Sequence, residues 1–300
     1  MAAETVAPAQ INQRTIGSDD PLPGVKNVLL VMSGKGGVGK STVATNLTLA
    51  LCRRGFRTGL LDADMYGPSI PTMMGVTGRP RSEGGKILPL ERFGTKLMSL
   101  GFLLDDAKAA VVWRGPMLHG ALMQFLTDVN WGELDFLVLD LPPGTGDVTL
   151  SLSQKLQANG SIVVTTPQEV ALADVYKSVS MNQKVGIPII GVVENNSYFL
   201  CEGCETRHHL FGDGGGKKVA EMAQAPLLAQ LPLDPSVQKW GDAGTPVVQA
   251  APNSPIAGAF LELADQVVAQ VSAHNEANSS QPLNIDRSGG VNRHLPISRS

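Results

Sequence analysis

Apolar and polar positions along this chain switch repeatedly between two periods. Short apolar runs, of the kind a strand buried on both faces shows, occur at 28–32, 59–62, 96–100, 136–140, 161–165, 189–193 and 227–231. Between them apolar residues recur at helical spacing. Val43, Ala44, Leu47 and Leu51 form one such stripe, ending at Arg53-Arg54-Gly55, and residues 170–185 carry another. A last stripe, Ile256, Phe260, Leu263, Ala264, Val267 and Val271, predicts an amphipathic helix over 255–273. Strands alternating with helices predict an α/β fold: a mostly parallel sheet with helices on both faces. Ligands of such a sheet sit at the carboxyl ends of its strands.

Residues 1–24 are polar, contain proline and lack periodicity, so they are expected to form a flexible arm. Residues 25–274 read as a single domain with no internal repeat, and 275–300, rich in Asn, Ser, Arg and Gly, as a disordered tail.

Composition narrows the function. Hydrophobic residues make up 43% and aromatics only 5%, which suits a large aliphatic core. A net charge of -3 opposes a broad nucleic-acid-binding surface. No apolar run reaches the ~18 residues of a spanning helix, and no membrane contact is expected. The first residues have neither an apolar signal core nor an Arg-rich transit character, so a cytoplasmic protein is expected. Three cysteines in a reducing compartment make no disulfide framework and need another explanation.

The chemistry begins where the first apolar run ends. Gly34-Lys35-Gly36-Gly37-Val38-Gly39-Lys40-Ser41-Thr42 fits the phosphate-binding pattern G-x-x-x-x-G-K-[ST], with a strand before it and a helix after it. Glycines let backbone N–H groups converge on phosphate oxygens, and the helix start adds its positive dipole end. Lys40 is expected to reach the β- and γ-phosphates of ATP, and the Ser41 hydroxyl to ligate Mg²⁺. Asp62-Ala63-Asp64 follows the second strand, and Asp140-Leu141-Pro142-Pro143-Gly144-Thr145-Gly146-Asp147 the fourth. Hydrolysis needs a held Mg²⁺ and an oriented water. Asp140 suits the metal through water, Asp62 the metal directly or from behind, and Asp64 the attacking water.

Cys201-Glu202-Gly203-Cys204 follows the sixth strand. A C-x-x-C pair can be redox-active, bind zinc or hold an iron–sulfur cluster. Two chains about a two-fold axis would supply four thiolates to one ion or cluster. His208 and His209 are near enough in sequence to ligate, although paired loop histidines are more often solvated. Cys52 falls in the first helical stripe and reads as a core cysteine.

Lys35, directly after the first glycine, is not required by the general pattern. It resembles the deviant phosphate loop of the MinD/ParA/nitrogenase-iron-protein class of ATPases, in which this lysine crosses a dimer interface to the partner's nucleotide. More of the chain resembles the Mrp/ApbC group of P-loop ATPases, the iron–sulfur cluster carriers. That likeness rests on the phosphate loop, on Asp62-Ala63-Asp64-Met65-Tyr66-Gly67-Pro68-Ser69, on Trp113-Arg114-Gly115-Pro116-Met117 and on Asp140 to Asp147. It continues through Glu194-Asn195, Ser197-Tyr198-Phe199, the cysteine pair, Phe211-Gly212 and Leu231-Pro232-Leu233-Asp234. Asn196 stands where the group usually has Met, and the four-cysteine N-terminal motif of the scaffold branch is not in this sequence.

The resemblance implies a single P-loop NTPase domain and an ATPase working as a homodimer. Gly34 to Thr42 would bind ATP, Lys35 would act across the dimer, and Asn195 would contact the adenine. Cys201 and Cys204 would hold a labile [4Fe-4S] cluster between protomers, for transfer to apo iron–sulfur proteins. A rival expectation is a ParA/MinD-like positioning ATPase. It is weakened because the 255–273 stripe carries Glu262 and Asp265 but no Lys or Arg for a membrane surface.

Overall fold

The computed structural model describes residues 11–64, 67–103, 115–144, 152, 155–201 and 203–279. Tyr66, Trp113, Arg114, Thr145 to Asp147 and Glu202, singled out above, lie outside the described residues, as do 1–10 and 280–300. The first half of the fold runs β1 (Val28–Ser33), α1 (Lys40–Arg53), β2 (Thr58–Asp62), α2 (Ile70–Met73), β3 (Arg81–Glu83), β4 (Lys86–Leu88), β5 (Leu90–Arg92), β6 (Thr95–Ser99), α3 (Gly115–Thr127) and β7 (Phe136–Asp140). The second half runs β8 (Gly160–Thr165), α4 (Glu169–Val185), β9 (Ile189–Glu194), β10 (Phe199–Leu200), β11 (Arg207–His208), α5 (Gly215–Ala223), β12 (Leu227–Gln230), α6 (Pro235–Asp242), α7 (Val247–Ala250) and α8 (Pro255–Ser279).

The described residues form an eight-stranded sheet in the order β12-β9-β8-β1-β7-β2-β6-β5. All neighbouring pairs are parallel except β5 with β6. Each of the seven apolar runs is a strand of this sheet, with ends shifted by one residue or less. The antiparallel edge strand β5 is not visible as an apolar run, because Leu90-Glu91-Arg92 is half polar and largely exposed.

Strand β1 is buried at all six positions, and its side chains alternate between two cores. Leu29 and Val31 join Leu60, Phe136 and Val138 under α1 and α8. Val28 and Leu30 join Leu61, Leu137 and Leu139 against Leu122, Phe125 and Leu126 of α3. A strand buried on both faces needs an unbroken apolar run, which is why periodicity locates it without a polar alternation. The chain leaves β1 for β2 on one side, while β8 lies on the other. Such a reversal opens a crevice at the carboxyl end of β1, where the glycine-rich loop sits.

Two segments depart from expectation. Residues 11–24, assigned to a flexible arm, pack on the domain. Ile11 and Leu22 are buried, Asn275 donates to the Asn12 carbonyl at 2.6 Å, and Arg14 N–H bonds the Lys26 carbonyl at 2.9 Å. The Arg14 guanidinium pairs with Asp20 and donates to the carbonyls of Leu22 and Gln157. Two isolated apolar residues show no period, and a buried ion pair looks like solvated polarity in a sequence. Helix α8 also runs on to Ser279, into the expected tail. Asn275 is buried there and accepts from Asn159 at 2.7 Å.

The Arg14 and Asp20 side chains are only 3% and 2% exposed. Arg14→Ala leaves a buried carboxylate without its cation and is expected to cost about 3 kcal/mol of unfolding free energy. Urea denaturation checks this. A loss below about 0.5 kcal/mol, typical of a surface position, would show that the segment is not part of the folding unit.

Candidate functional site

The phosphate loop spans the gap between Ser33, which ends β1, and Lys40, which starts α1. Gly37 and Gly39 have φ of 80° and 85°, the left-handed region that side chains rarely adopt. A Cβ on Gly36 or Gly37 would meet nothing within 4 Å, so these two face open space, as a phosphate cradle requires. Gly34 and Gly39 have a further reason to lack a side chain. A Cβ on Gly34 would lie 2.2 Å from the Val175 backbone nitrogen in α4, and one on Gly39 would lie 2.1 Å from Asn195 Nδ2. They let the loop press against its own protein. No side chain caps the N-terminus of α1, leaving its first N–H groups for an anion. The loop opens on a cleft of about 600 Å³ whose wall includes Lys35, Ser41, Thr42, Asp64, Ser69 and Pro143. That volume suits a small-molecule ligand.

The acids come from adjacent strands. Asp62 and Asp140 are register partners at the carboxyl ends of β2 and β7. Lys40 Nζ donates to Asp140 Oδ1 at 2.7 Å, lies 3.5 Å from Asp64 Oδ2, and reaches Ser41 Oγ at 3.3 Å. Asp140 has no exposed surface, and its Oδ2 lacks a hydrogen-bond partner among the described residues. Burial pushes its carboxyl up, opposed by Lys40 and then by the Ser41 hydroxyl. An unsatisfied buried carboxylate oxygen beside a phosphate loop fits a hydrated Mg²⁺.

Asp62 is also fully buried and acts from behind the cleft wall. It accepts from Ser99 Oγ at 2.9 Å and from the backbone N–H groups of Asp64 and Ile70 at 3.2 and 3.4 Å. It thereby ties the turn after β2 to α2. Burial, and then the neighbouring Asp140, push its carboxyl up to about 8. Lys35 is half-exposed on the rim, and its ammonium has no partner among the described residues.

The cysteines lie on a second feature. Strands β10 and β11 form an antiparallel hairpin with Phe199 opposite His208. Cys201 N–H bonds the Thr206 carbonyl at 3.1 Å, and Glu205 N–H bonds the Cys201 carbonyl at 2.7 Å. This tight turn brings Cys201, Cys204 and His208 together, with their ligand atoms all within 4.8 Å of one another. Cys201 is half-buried and Cys204 exposed. Hydrogen bonds from Thr206 and then His208 pull the Cys204 thiol down to about 6, into the reactive thiolate range. His208 is exposed, and the pairing across the C-x-x-C turn carries it to the sulfurs. His209 instead faces Tyr198, ring centroids 6.5 Å apart. Cys52 is half-buried rather than a core residue, its thiol 3.6 Å from the Phe93 and Gly94 carbonyls.

One strand end holds both features. Strand β9 finishes at Glu194, and Asn195 Nδ2 donates to the Val38 carbonyl of the phosphate loop at 2.9 Å. Glu194, fully buried, accepts from Ser197 Oγ at 2.6 Å, Gln230 Nε2 at 2.9 Å and the Gly216 N–H at the start of α5. No motif in the sequence assigns this role to Glu194, Ser197 and Gln230. Their only signal is polar residues at a strand end that a sheet interior would otherwise exclude.

A Gly-rich loop between a central parallel strand and a helix, with a buried acid on the neighbouring strand, defines a P-loop NTPase. The family model described as "ParA: NUBPL iron-transfer P-loop NTPase" matches residues 24–268, and the chain belongs to that family. Its curated relatives include the iron-sulfur cluster carrier protein of Aquifex aeolicus, 50% identical over 255 residues, covering 83% of this chain and 69% of that one. The Escherichia coli (strain K12) protein of the same name is 48% identical over 250 residues, covering 83% and 68%. Among solved structures, the Archaeoglobus fulgidus nucleotide-binding protein in complex with ADP, described with cobalt, is 38% identical with a TM-score of 0.65, covering 74% of this chain and 87% of that one. The Pyrococcus furiosus cell division ATPase MinD, 23% identical with a TM-score of 0.58 over 80% and 98%, shares the fold. The protein is thus a P-loop ATPase of the ParA type.

The acid cluster makes a pH prediction. With its carboxyl at about 8 against an ordinary 3.8, folded Asp62 keeps a proton that the unfolded chain releases. Stability from this group therefore falls as pH rises between those values. Nucleotide-free wild type is expected to lose at least about 1 kcal/mol relative to Asp62→Asn over that window, since each tenfold difference in proton affinity is worth about 1.4 kcal/mol. Parallel stability–pH curves for the two proteins would mean that Asp62 is ionised in the fold.

Proposed function

We propose that this chain is an ATP-hydrolysing iron–sulfur cluster carrier: two copies hold a [4Fe-4S] cluster between them on Cys201 and Cys204 and pass it to apo iron–sulfur proteins. The observation that carries this reading is the cysteine pair, Cys201 half-buried and Cys204 exposed, on a hairpin that leaves the strand end bonded to the phosphate loop. The iron–sulfur carrier names of relatives near 50% identity support it. A cysteine pair that reaches the surface can both take up and surrender a cluster, which a core site cannot. Four thiolates complete a cluster, and each chain brings two to it.

In this reading the backbone of Gly34, Lys35, Gly36, Gly37, Val38 and Gly39, with Lys40, Ser41 and Thr42, cradles ATP. Ser41 and Asp140 hold Mg²⁺, and Asp64 at the cleft wall orients the attacking water. Lys40 then exchanges Asp140 for the phosphates. Asn195 has its Nδ2 on the loop, leaving Oδ1 for the adenine. Lys35, with its unpaired ammonium at the rim, reaches the partner subunit's nucleotide, as a trans-acting cation does in related phosphoryl transfers.

In this reading the chain works in the cytoplasm. Among the described residues no helix is long and apolar enough to cross a membrane. A surface-positioning role is disfavoured because the apolar stripe of α8 is taken up by the core. Phe260, Leu263, Val267 and Val271 are buried there, and Asp265 pairs with Arg54 of the chain after α1. The folded domain is taken to run over 25–274, with residues 11–24 packed against it.

Anaerobic reconstitution with iron and sulfide tests the carrier reading. One [4Fe-4S] cluster per two chains is expected, lost in Cys201→Ala and in Cys204→Ala but kept in Cys52→Ala, with ATP binding intact in all three. A full cluster on a monomer, or one that survives loss of Cys204, overturns the bridged site. Zinc at one per dimer without sulfide discards the carrier role.

Mixing tests the trans lysine. Lys35→Ala chains and Lys40→Ala chains should each be inactive alone, and should regain ATPase activity together. The mixed dimer has one site with its own Lys40 and its partner's Lys35. No recovery, with subunit exchange demonstrated, would place Lys35 in its own site.

A further inference from the structure

The hairpin carries a third metal-binding side chain that four bridging thiolates do not use. We propose that a single chain binds one thiophilic divalent ion through Cys201 Sγ, Cys204 Sγ and the His208 imidazole, with a fourth position open. This deepens the carrier reading and rests on its assignment of the two cysteines as metal ligands.

Geometry carries the proposal. A tetrahedral ion with bonds of about 2.3 Å to sulfur and about 2.0 Å to nitrogen places its ligand atoms roughly 3.5–3.8 Å apart. Cys204 Sγ and His208 Nε2 are already 3.9 Å apart. The whole set lies within 4.8 Å, so no pair has to close by more than about 1.3 Å to reach that geometry. The backbone enforces the arrangement. Phe199 and His208 are cross-strand partners, and side chains two apart share a face, so Cys201 falls on the His208 side of the ribbon. The 3.1 Å bond from Cys201 N–H to the Thr206 carbonyl closes the turn that carries Cys204.

Two neighbouring side chains, Arg207 and His209, are engaged elsewhere. The Arg207 guanidinium lies over the Tyr198 ring at 4.5 Å, and His209 faces the same ring. Two thiolates neutralise a divalent ion, and a neutral imidazole adds a ligand without adding charge. Two sulfurs and one nitrogen with an open fourth position make the ligand set of a reactive zinc centre rather than a closed structural one. His208 thus completes a mononuclear site on the lone chain. Because the ion and a bridging cluster would use the same two thiolates, a chain would hold one or the other, and the ion would have to dissociate before a cluster could bridge two chains.

Cobalt(II) alone is the probe, because its visible bands report coordination number and its near-ultraviolet charge transfer reports thiolate ligation. Titrate the reduced, full-length protein anaerobically, without sulfide. The expected result is a tetrahedral spectrum saturating at one ion per chain, with no gain in molecular mass. His208→Ala should lose the tetrahedral bands and weaken binding at least about tenfold, since even a group hydrogen-bonded behind a ligand is worth that much. His208→Cys should restore a tetrahedral spectrum with stronger charge transfer. His209→Ala should match wild type. ATP binding serves as the folding control for each variant.

An unchanged spectrum and affinity in His208→Ala overturns the proposal. So does saturation at one ion per two chains. The carrier reading fails separately. If wild type takes up no cluster from iron and sulfide but His208 governs cobalt, the mononuclear site stands and the carrier does not. If His208→Ala takes up a full cluster per dimer but binds cobalt like wild type, the carrier stands and this site does not.

Discussion

Lys40 is buried at the carboxyl edge of the sheet, 2.7 Å from Asp140 and 3.5 Å from Asp64. Removing a charge from water costs several kcal/mol per ion even after relaxation. Such a cluster persists only if its charges nearly balance. Three carboxylates around one lysine do not balance, and Asp62 relieves the excess by being pushed up towards its neutral form. The cluster is therefore poised and not satisfied, as the unpartnered Asp140 Oδ2 shows. A metal-bound triphosphate brings both missing partners at once, a cation for the acids and an anion for the lysine. The demand for burial at this point explains the uninterrupted apolar strands beneath it. It also explains why β2 and β7, which carry Asp62 and Asp140, are neighbours in register.

The same closeness of position links the nucleotide to the thiols. Two consecutive residues at the end of β9 face in different directions. Glu194 accepts hydrogen bonds from Ser197, Gln230 and the start of α5, and Asn195 holds the phosphate loop by the Val38 carbonyl. Gly39 has no Cβ because Asn195 occupies its place. A change in the loop thus meets a rigid, hydrogen-bonded strand end, and the cysteine hairpin begins only a few residues beyond. Stiff contiguous contacts of this sort are the physical means by which occupancy at one site can bias another. The hairpin itself packs lightly, with Leu200 and Leu210 exposed at 46% and 58%. The hairpin that carries the cysteines is thus little committed to the core.

Much of this was legible in the chain. Seven strands appeared as apolar runs because a strand buried on both faces admits little else, and the phosphate loop appeared because its φ angles and close approaches demand glycine at fixed spacing. The cysteine pair was visible by its rarity. Other features were not legible. The Arg14–Asp20 pair and the Asn275 anchor look like solvated polar sequence, since burial of a polar group depends on partners far along the chain. The antiparallel edge strand β5 is too short and too exposed to leave a pattern.

By itself, then, the sequence determined the strands, the loop that binds phosphate, and which residue types were available for acid, cation and thiolate chemistry, because each of these is a local demand on side-chain or backbone conformation. Only the tertiary structure decided how the groups were shared out. It set Asp140 against Lys40 and withdrew Asp62 behind the wall, because strand order, not sequence distance, places β7 beside β2. It pressed Gly34 against α4 and Gly39 against Asn195, and left Gly36 and Gly37 facing open space. It turned His208 toward the sulfurs and His209 toward Tyr198, because cross-strand pairing assigns alternate residues to opposite faces.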